Sequence, residues 1–138
     1  MVDVAVQEAV ELFAGCEWGH PPSSVKIDDL RRRSELRLGD FLDAVALRTA
    51  REFAAGRLSY ERGDIIANGL WGAWWATVPP SGSLPPFFVF YIPDLLARVY
   101  FAFDDGEYPR ADDPLGTDTG EKYTRPLIEA VLADYDTV

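Results

Sequence analysis

One cysteine, one methionine and one histidine stand in a chain of 138 residues. The lone Cys16 excludes an intrachain disulfide framework and any cysteine-rich zinc site. It fits a reducing compartment, and its expected role is a small packed side chain. The lone His20 removes histidine-rich metal sites and leaves any Ser-His-acid triad to be built beside Pro21 and Pro22, a minority reading. Bases are scarce as well: 13 Lys and Arg face 23 Asp and Glu, a net charge of −10. A surface of that sign repels phosphate backbones, so nucleic acid is not an expected partner. No uninterrupted apolar run approaches the roughly 18 residues of a membrane span. The nearest, IIANGLWGAWWATV, is too short and contains Asn68 and two glycines. The N-terminal segment carries Asp3, Glu8 and Glu11 where a secretory signal has a basic stretch. A cytoplasmic protein, not in a membrane, is expected. Phosphate-binding loops, dinucleotide fingerprints and G-x-S-x-G elbows are missing too, so catalysis is the minority reading and no cofactor or metal is implied.

Aromatic residues, by contrast, are plentiful: four Trp, six Tyr and eight Phe. A chain of this length and composition supports one self-sufficient core, so residues 1–138 are read as a single domain. Charge is unevenly spread. Residues 24–62 carry nine bases against seven acids, whereas residues 100–138 carry ten acids against three bases, a local charge of −7.

Periodicity gives an all-α fold, a compact and irregular bundle of five to six helices. Residues 3–14 place Val6, Ala9, Val10 and Phe13 on one stripe, with Gly15 as a stop; the loop with Gly19, Pro21 and Pro22 then sets this helix apart as a separate arm. A short helix is expected from near Asp28 to Leu36. A longer one, capped by Asp40, carries Phe41, Leu42, Val45, Ala46, Ala50 and Phe53 inward and closes at Gly56. Ser59 offers an N-cap to a helix reaching about Thr77, apolar on nearly every side and so expected in the middle of the fold. Four prolines and Gly82 make residues 78–86 a loop, and FFVFYI after it reads as a strand or a lead-in to helix. Pro93 and Asp94 start a helix with Leu95, Leu96, Val99, Tyr100 and Phe103 inward, ending at Gly106. An irregular loop follows, and Thr124 and Pro126 open a last helix with Leu127, Ile128, Val131, Leu132 and Tyr135 inward.

The acids around Gly106 invite a test as a calcium loop. Counting back from that glycine puts Phe101 and Phe103 at the first and third ligand positions, so the register fails. Asp104 and Asp105 instead fall in a helix's last turn, where carboxylates oppose the dipole. With Glu107, Tyr108, Asp112 and Asp113 they are read as an exposed acidic surface, with Tyr108 as anchor and Arg110 as an internal counter-charge. Trp18, in its Gly-Pro loop, is a second candidate anchor. Asp64 and Asn68, four residues apart on an apolar helix, need polar partners, with Arg57 or Arg98 expected; alternatively they orient a ligand in a pocket with Trp71 and Trp75. Arg31, Arg32 and Arg33 are flanked by Asp28, Asp29 and Glu35 and read as ion-paired helix face.

The favoured reading is a cytosolic protein-binding module whose acidic C-terminal surface meets a basic partner. In size, acidity and lack of catalytic motifs the chain is similar, in class alone, to small bacterial immunity proteins that neutralise basic toxins. A small-molecule-binding domain with a Trp- and Phe-lined pocket is the alternative, and a homo-oligomerisation unit the third reading.

Overall fold

Apolar residues at three- and four-residue steps become the inner faces of helices. The computed structural model describes residues 2–77 and 92–137. Within them the chain forms α1 (Val2–Ala14), α2 (Ser24–Ser34), α3 (Leu38–Ala54), α4 (Tyr60–Trp75), α5 (Asp94–Asp105) and α6 (Arg125–Asp136), with a π-helical turn over Gly120–Thr124 leading into α6. No strand occurs among the described residues, and the chain is all-α. The loop expected over 78–86 and the apolar run from 87 to 91, whose Phe87, Phe88 and Phe90 are the phenylalanines of the alternative Trp- and Phe-lined pocket, lie outside the described residues.

The bundle is organised around α3, which packs against each of the other five α-helices. Its expected stripe is buried throughout, and Phe41, Phe53, Phe13 of α1 and Phe103 of α5 are the largest fully enclosed side chains. Each contributes about 1.5 to 3 kcal/mol relative to exposure. Phe53 and Phe103 meet edge to face at 5.2 Å, a favoured quadrupole arrangement.

α1 is not a separate arm. Its Ala5, Val6, Ala9, Val10 and Phe13 are buried against α2, α3 and α4. Gly19, Pro21 and Pro22 stop the helix but turn the chain back, so they interrupt periodicity and not packing. α2 begins four residues before Asp28, because Ser23 accepts a hydrogen bond from the Lys26 N–H at 3.3 Å as N-cap. The arginines of α2 are ion-paired, Arg31 and Arg32 with Asp28, and Arg33 with Glu8 of α1 and Asp29. Asp40 is not the cap of α3. Arg37 holds that position without a side-chain bond, and Asp40 lies in the first turn, where its charge still suits the helix dipole.

Ser59 caps α4, accepting from the Arg62 N–H at 3.2 Å. Two glycines of α4 set how closely its neighbours approach: a Cβ at Gly63 would lie 2.5 Å from the Phe103 ring, and one at Gly69 2.6 Å from Phe13. At Gly72, by contrast, a Cβ would meet nothing within 4 Å. Burial of α4 is confined to Gly63–Leu70; Trp71, Trp74 and Trp75 are only half-buried, so this helix is enclosed in its N-terminal part and not throughout. Leu127 and Tyr135 of α6 also depart from expectation, standing exposed while Ile128 and Val131 face the core. Among the described residues, no helix is long and apolar enough to cross a membrane.

Candidate functional site

The last carbonyls of a helix lack partners within it. At the end of α5 they are supplied from elsewhere in the fold. Thr124 donates through Oγ1 to the Ala102 carbonyl at 2.7 Å, Tyr60 through its hydroxyl to Phe103 at 2.7 Å, and Thr119 through Oγ1 to Gly106. Asp105, unfavourable there by its charge, pairs with Arg110 at 2.9 Å. The other end of α5 is also held from outside. Pro93 offers no side-chain acceptor, and Asp43 of α3 accepts instead from the Leu96 N–H at 2.8 Å. Burial, opposed by that bond and aided by Asp94 and Asp40, pushes the Asp43 carboxyl up to about 6.

Glu107 follows this helix end and turns inward, so it does not belong to the exposed acidic surface. It meets Asp64, which is 6% exposed, and Asn68. The Asn68 Nδ2 donates to the Asp64 carbonyl at 2.8 Å, to Asp64 Oδ1 at 3.1 Å and to Glu107 Oε1 at 3.5 Å. The arginines expected beside Asp64 are engaged elsewhere, Arg57 with Glu52 and Arg98 with Asp134. Burial first, and then the charge and hydrogen bond of Glu107, push Asp64 up to about 8. Burial raises the Tyr60 and Tyr100 hydroxyls as well, followed by the charges of Asp64 and Glu107 at Tyr60 and by that of Asp104, ahead of Glu107 and Asp64, at Tyr100. The pair therefore shares a proton at neutral pH, an interior acid–carboxylate bond joining α4 to the loop after α5.

Asp113 is the second departure. Its side chain is fully enclosed, accepting from Lys122 Nζ, from the Tyr123 hydroxyl at 2.6 Å and from the Arg110 N–H at 2.8 Å. Lys122 first, then Tyr123, hold its carboxyl down at about 2. Arg110 lies 3.8 Å over the Tyr123 ring. Asp113 thus fastens the loop over 106–119 and is unavailable to a partner. What remains outside is Asp104, Asp105, Asp112 and Tyr108, the last 76% exposed, with Leu115 fully exposed beside them in sequence. No cation among the described residues pairs with Asp104 or Asp112.

Trp18 is 57% exposed and lines a cleft of about 200 Å3 with Phe13, Cys16, His20, Asn68 and Gly69. Asn68 is thus shared between this cleft and the carboxyl pair. Trp71 does not line it; the ring stacks on Tyr100 at 4.2 Å and lies 5.8 Å from Trp75 and 5.5 Å from Phe101. The residues of the alternative pocket are therefore divided between a buried pair, a cleft wall and an aromatic cluster. Among the described residues, no three His, Cys, Asp or Glu side chains converge as a metal site. The sequence reading missed the hydroxyls of Tyr60, Thr119 and Thr124, whose targets lie 13 to 43 residues away, and the exposed Phe101. A hint existed for Phe101, which falls off the α5 stripe at a position that polar residues ordinarily fill.

No family profile and no solved structure matches the chain. Among curated proteins, 53% of it is 31% identical over 74 residues to branched-chain-amino-acid aminotransferase-like protein 2 of Arabidopsis thaliana. A similar 54% is 28% identical over 75 residues to branched-chain-amino-acid aminotransferase-like protein 1 of the same plant. The chain spans 12% and 13% of the length of these relatives, so it resembles one small part of each.

Proposed function

We propose that this chain is a cytosolic protein-binding module that meets a basic protein partner through the exposed end of α5 and the loop after it. One observation carries the reading: the stretch with the −7 charge is also where large apolar side chains, Phe101, Tyr108 and Leu115, stand in water. Acid alone is a means of solubility, but acid around exposed aromatic surface is the composition of an interface that steers by charge and anchors by burial. The loop is fastened from within by Asp113, so Tyr108 and Asp112 are presented on a fixed scaffold and lose little freedom on docking. Likeness to a small part of much longer proteins supports the reading of a module. In class of mechanism this is the work of a bacterial immunity protein against a basic toxin.

The test is capture from native cytoplasm at low and high salt, followed by association kinetics with whatever is bound. A stoichiometric basic partner lost as salt rises is expected. The variant carrying Asp104→Asn and Asp112→Asn then associates more slowly with a shallower salt dependence, and Tyr108→Ala dissociates faster. A captured partner that binds all three chains alike overturns the surface assignment.

A small ligand in the Trp18 cleft is the second reading, since Asn68 and Trp18 do converge there. Its volume of about 200 Å3 falls below the 300 Å3 or so of common ligand sites, which ranks it second. Ligand-dependent quenching of tryptophan fluorescence, abolished in Trp18→Phe, would promote it.

A further inference from the structure

We propose that the groove between α5 and α6 seats an amphipathic helix of the basic partner, apolar face inward and cationic end over the acidic end of α5. The inference rests on the protein-binding reading above and names the element that the partner brings. The groove has a volume of about 510 Å3. Its floor is Ala97, Ala102 and Val131, the alanines small enough for a helix backbone to come close; Phe101, Leu127 and Ala130 form its exposed lips, and Arg98 and Asp105 are the two charged side chains in its lining. An apolar trough walled by two helices is the form that takes an amphipathic helix with anchors at three- and four-residue steps.

Charge chooses and orients the occupant. α5 and α6 run antiparallel, for Thr124 before α6 bonds Ala102 near the end of α5 while Arg98 pairs with Asp134 at 2.6 Å toward the opposite end. That second end is neutralised by its own ion pair. The first is not: Asp105 is shared with Arg110, and Asp104, on the face of Ala97 seven residues on, has no cationic partner among the described residues. An occupant with Lys or Arg at one end is therefore favoured, whereas an anionic membrane surface is repelled, and a second copy would set two stretches of −7 against each other. The walls are twelve-residue helices, about 18 Å long, so an occupant of about three turns fills the groove.

The probe is a synthetic peptide of about fourteen residues with Leu and Ala on one helical face and Lys on the other. Its controls are a scramble of the same composition and a version with Glu for Lys. Binding to the full chain is followed by NMR shift mapping and fluorescence anisotropy. The Lys peptide is expected to bind about tenfold tighter than either control, with the largest shifts at Ala97, Phe101, Leu127 and Ala130. Ala130→Trp fills the groove from an exposed position and should weaken binding by about tenfold at an unchanged melting temperature; Phe101→Ser replaces it should the tryptophan variant melt early. Equal binding of the scramble, shifts confined to other surfaces, or full affinity in both variants overturns the groove assignment. A dimer in sedimentation that Ala130→Trp dissolves makes the occupant a second copy and overturns it too. A native basic partner captured equally by the parent and Ala130→Trp removes the groove and leaves the module; no native partner for either chain removes the module reading itself.

Discussion

Asp64 carries two opposed demands, a carboxylate's need for water and a position 6% exposed, and the outcome is a proton shared with Glu107. Its folded pKa, about 8, lies above the ordinary 3.8. The native state then holds a proton that the unfolded chain has released, and stability falls as pH rises through that window. Asp43, raised to about 6, acts in the same direction over a lower range, so the interval from about pH 6.5 to 8.5 isolates Asp64. Thermal melts across that interval should show the parent protein losing stability, and Asp64→Asn, whose amide still donates to Glu107, losing much less. An equal slope in both would sink the shared-proton assignment. Asp113 has the opposite sign: its pKa is held at about 2, so its contribution is present at neutral pH and disappears only in strong acid. Asp43→Ala should cost about 1 kcal/mol by removing the cap of α5. Asp43→Asn should keep the cap and make the pH dependence below about pH 6 shallower, leaving the share of Asp64, which chemical denaturation at about pH 5 and 7 would read.

At the level of the elements, α5 is the helix whose two ends are finished by other parts of the chain. Thr124→Val preserves shape and removes the hydroxyl that serves the Ala102 carbonyl. The expected loss is about 1 to 3 kcal/mol, the cost of a buried acceptor left unmade, with faster amide exchange in the π-helical turn and the start of α6; unchanged exchange would show that water replaces the hydroxyl. Helix interiors were legible because their apolar residues recur at helical steps: the stripes of α1, α3 and α5 needed nothing beyond Val10, Phe13, Phe41, Phe53, Val99 and Phe103. Ends were less so. Ser23 and Asp40 are both good capping residues, and only the path of the chain decides that Ser23 caps and Asp40 does not. The candidate site was legible in its ingredients and not in its assembly. Asp64 and Asn68 stood out as polar residues on an apolar helix, whereas Glu107 read as one more surface acid; the bonds joining Asn68 to Glu107 and Tyr60 to Phe103 cross 39 and 43 residues, a separation that leaves no period to read. Asp113 looked like its neighbour Asp112 for the same reason.

At the scale of the whole molecule, none of the six described α-helices is an appendage to the bundle. Deleting α1 removes Phe13 and Val10 from the common core, so the remainder should unfold, and Phe13→Ala alone should cost about 3 to 5 kcal/mol in a single cooperative transition. A truncated chain that keeps a sharp melt would restore α1 to the status of an arm. Two of the contacts between aromatic rings and bare backbone, Gly63 under Phe103 and Gly69 under Phe13, reach beyond this one chain. Any descendant of the fold that acquires a side chain at position 63 must shrink the ring at 103 or part α4 from α5, and likewise for 69 and 13. Those two pairs will change together, and they give a signature by which distant relatives can be told from chance resemblance when overall identity has faded.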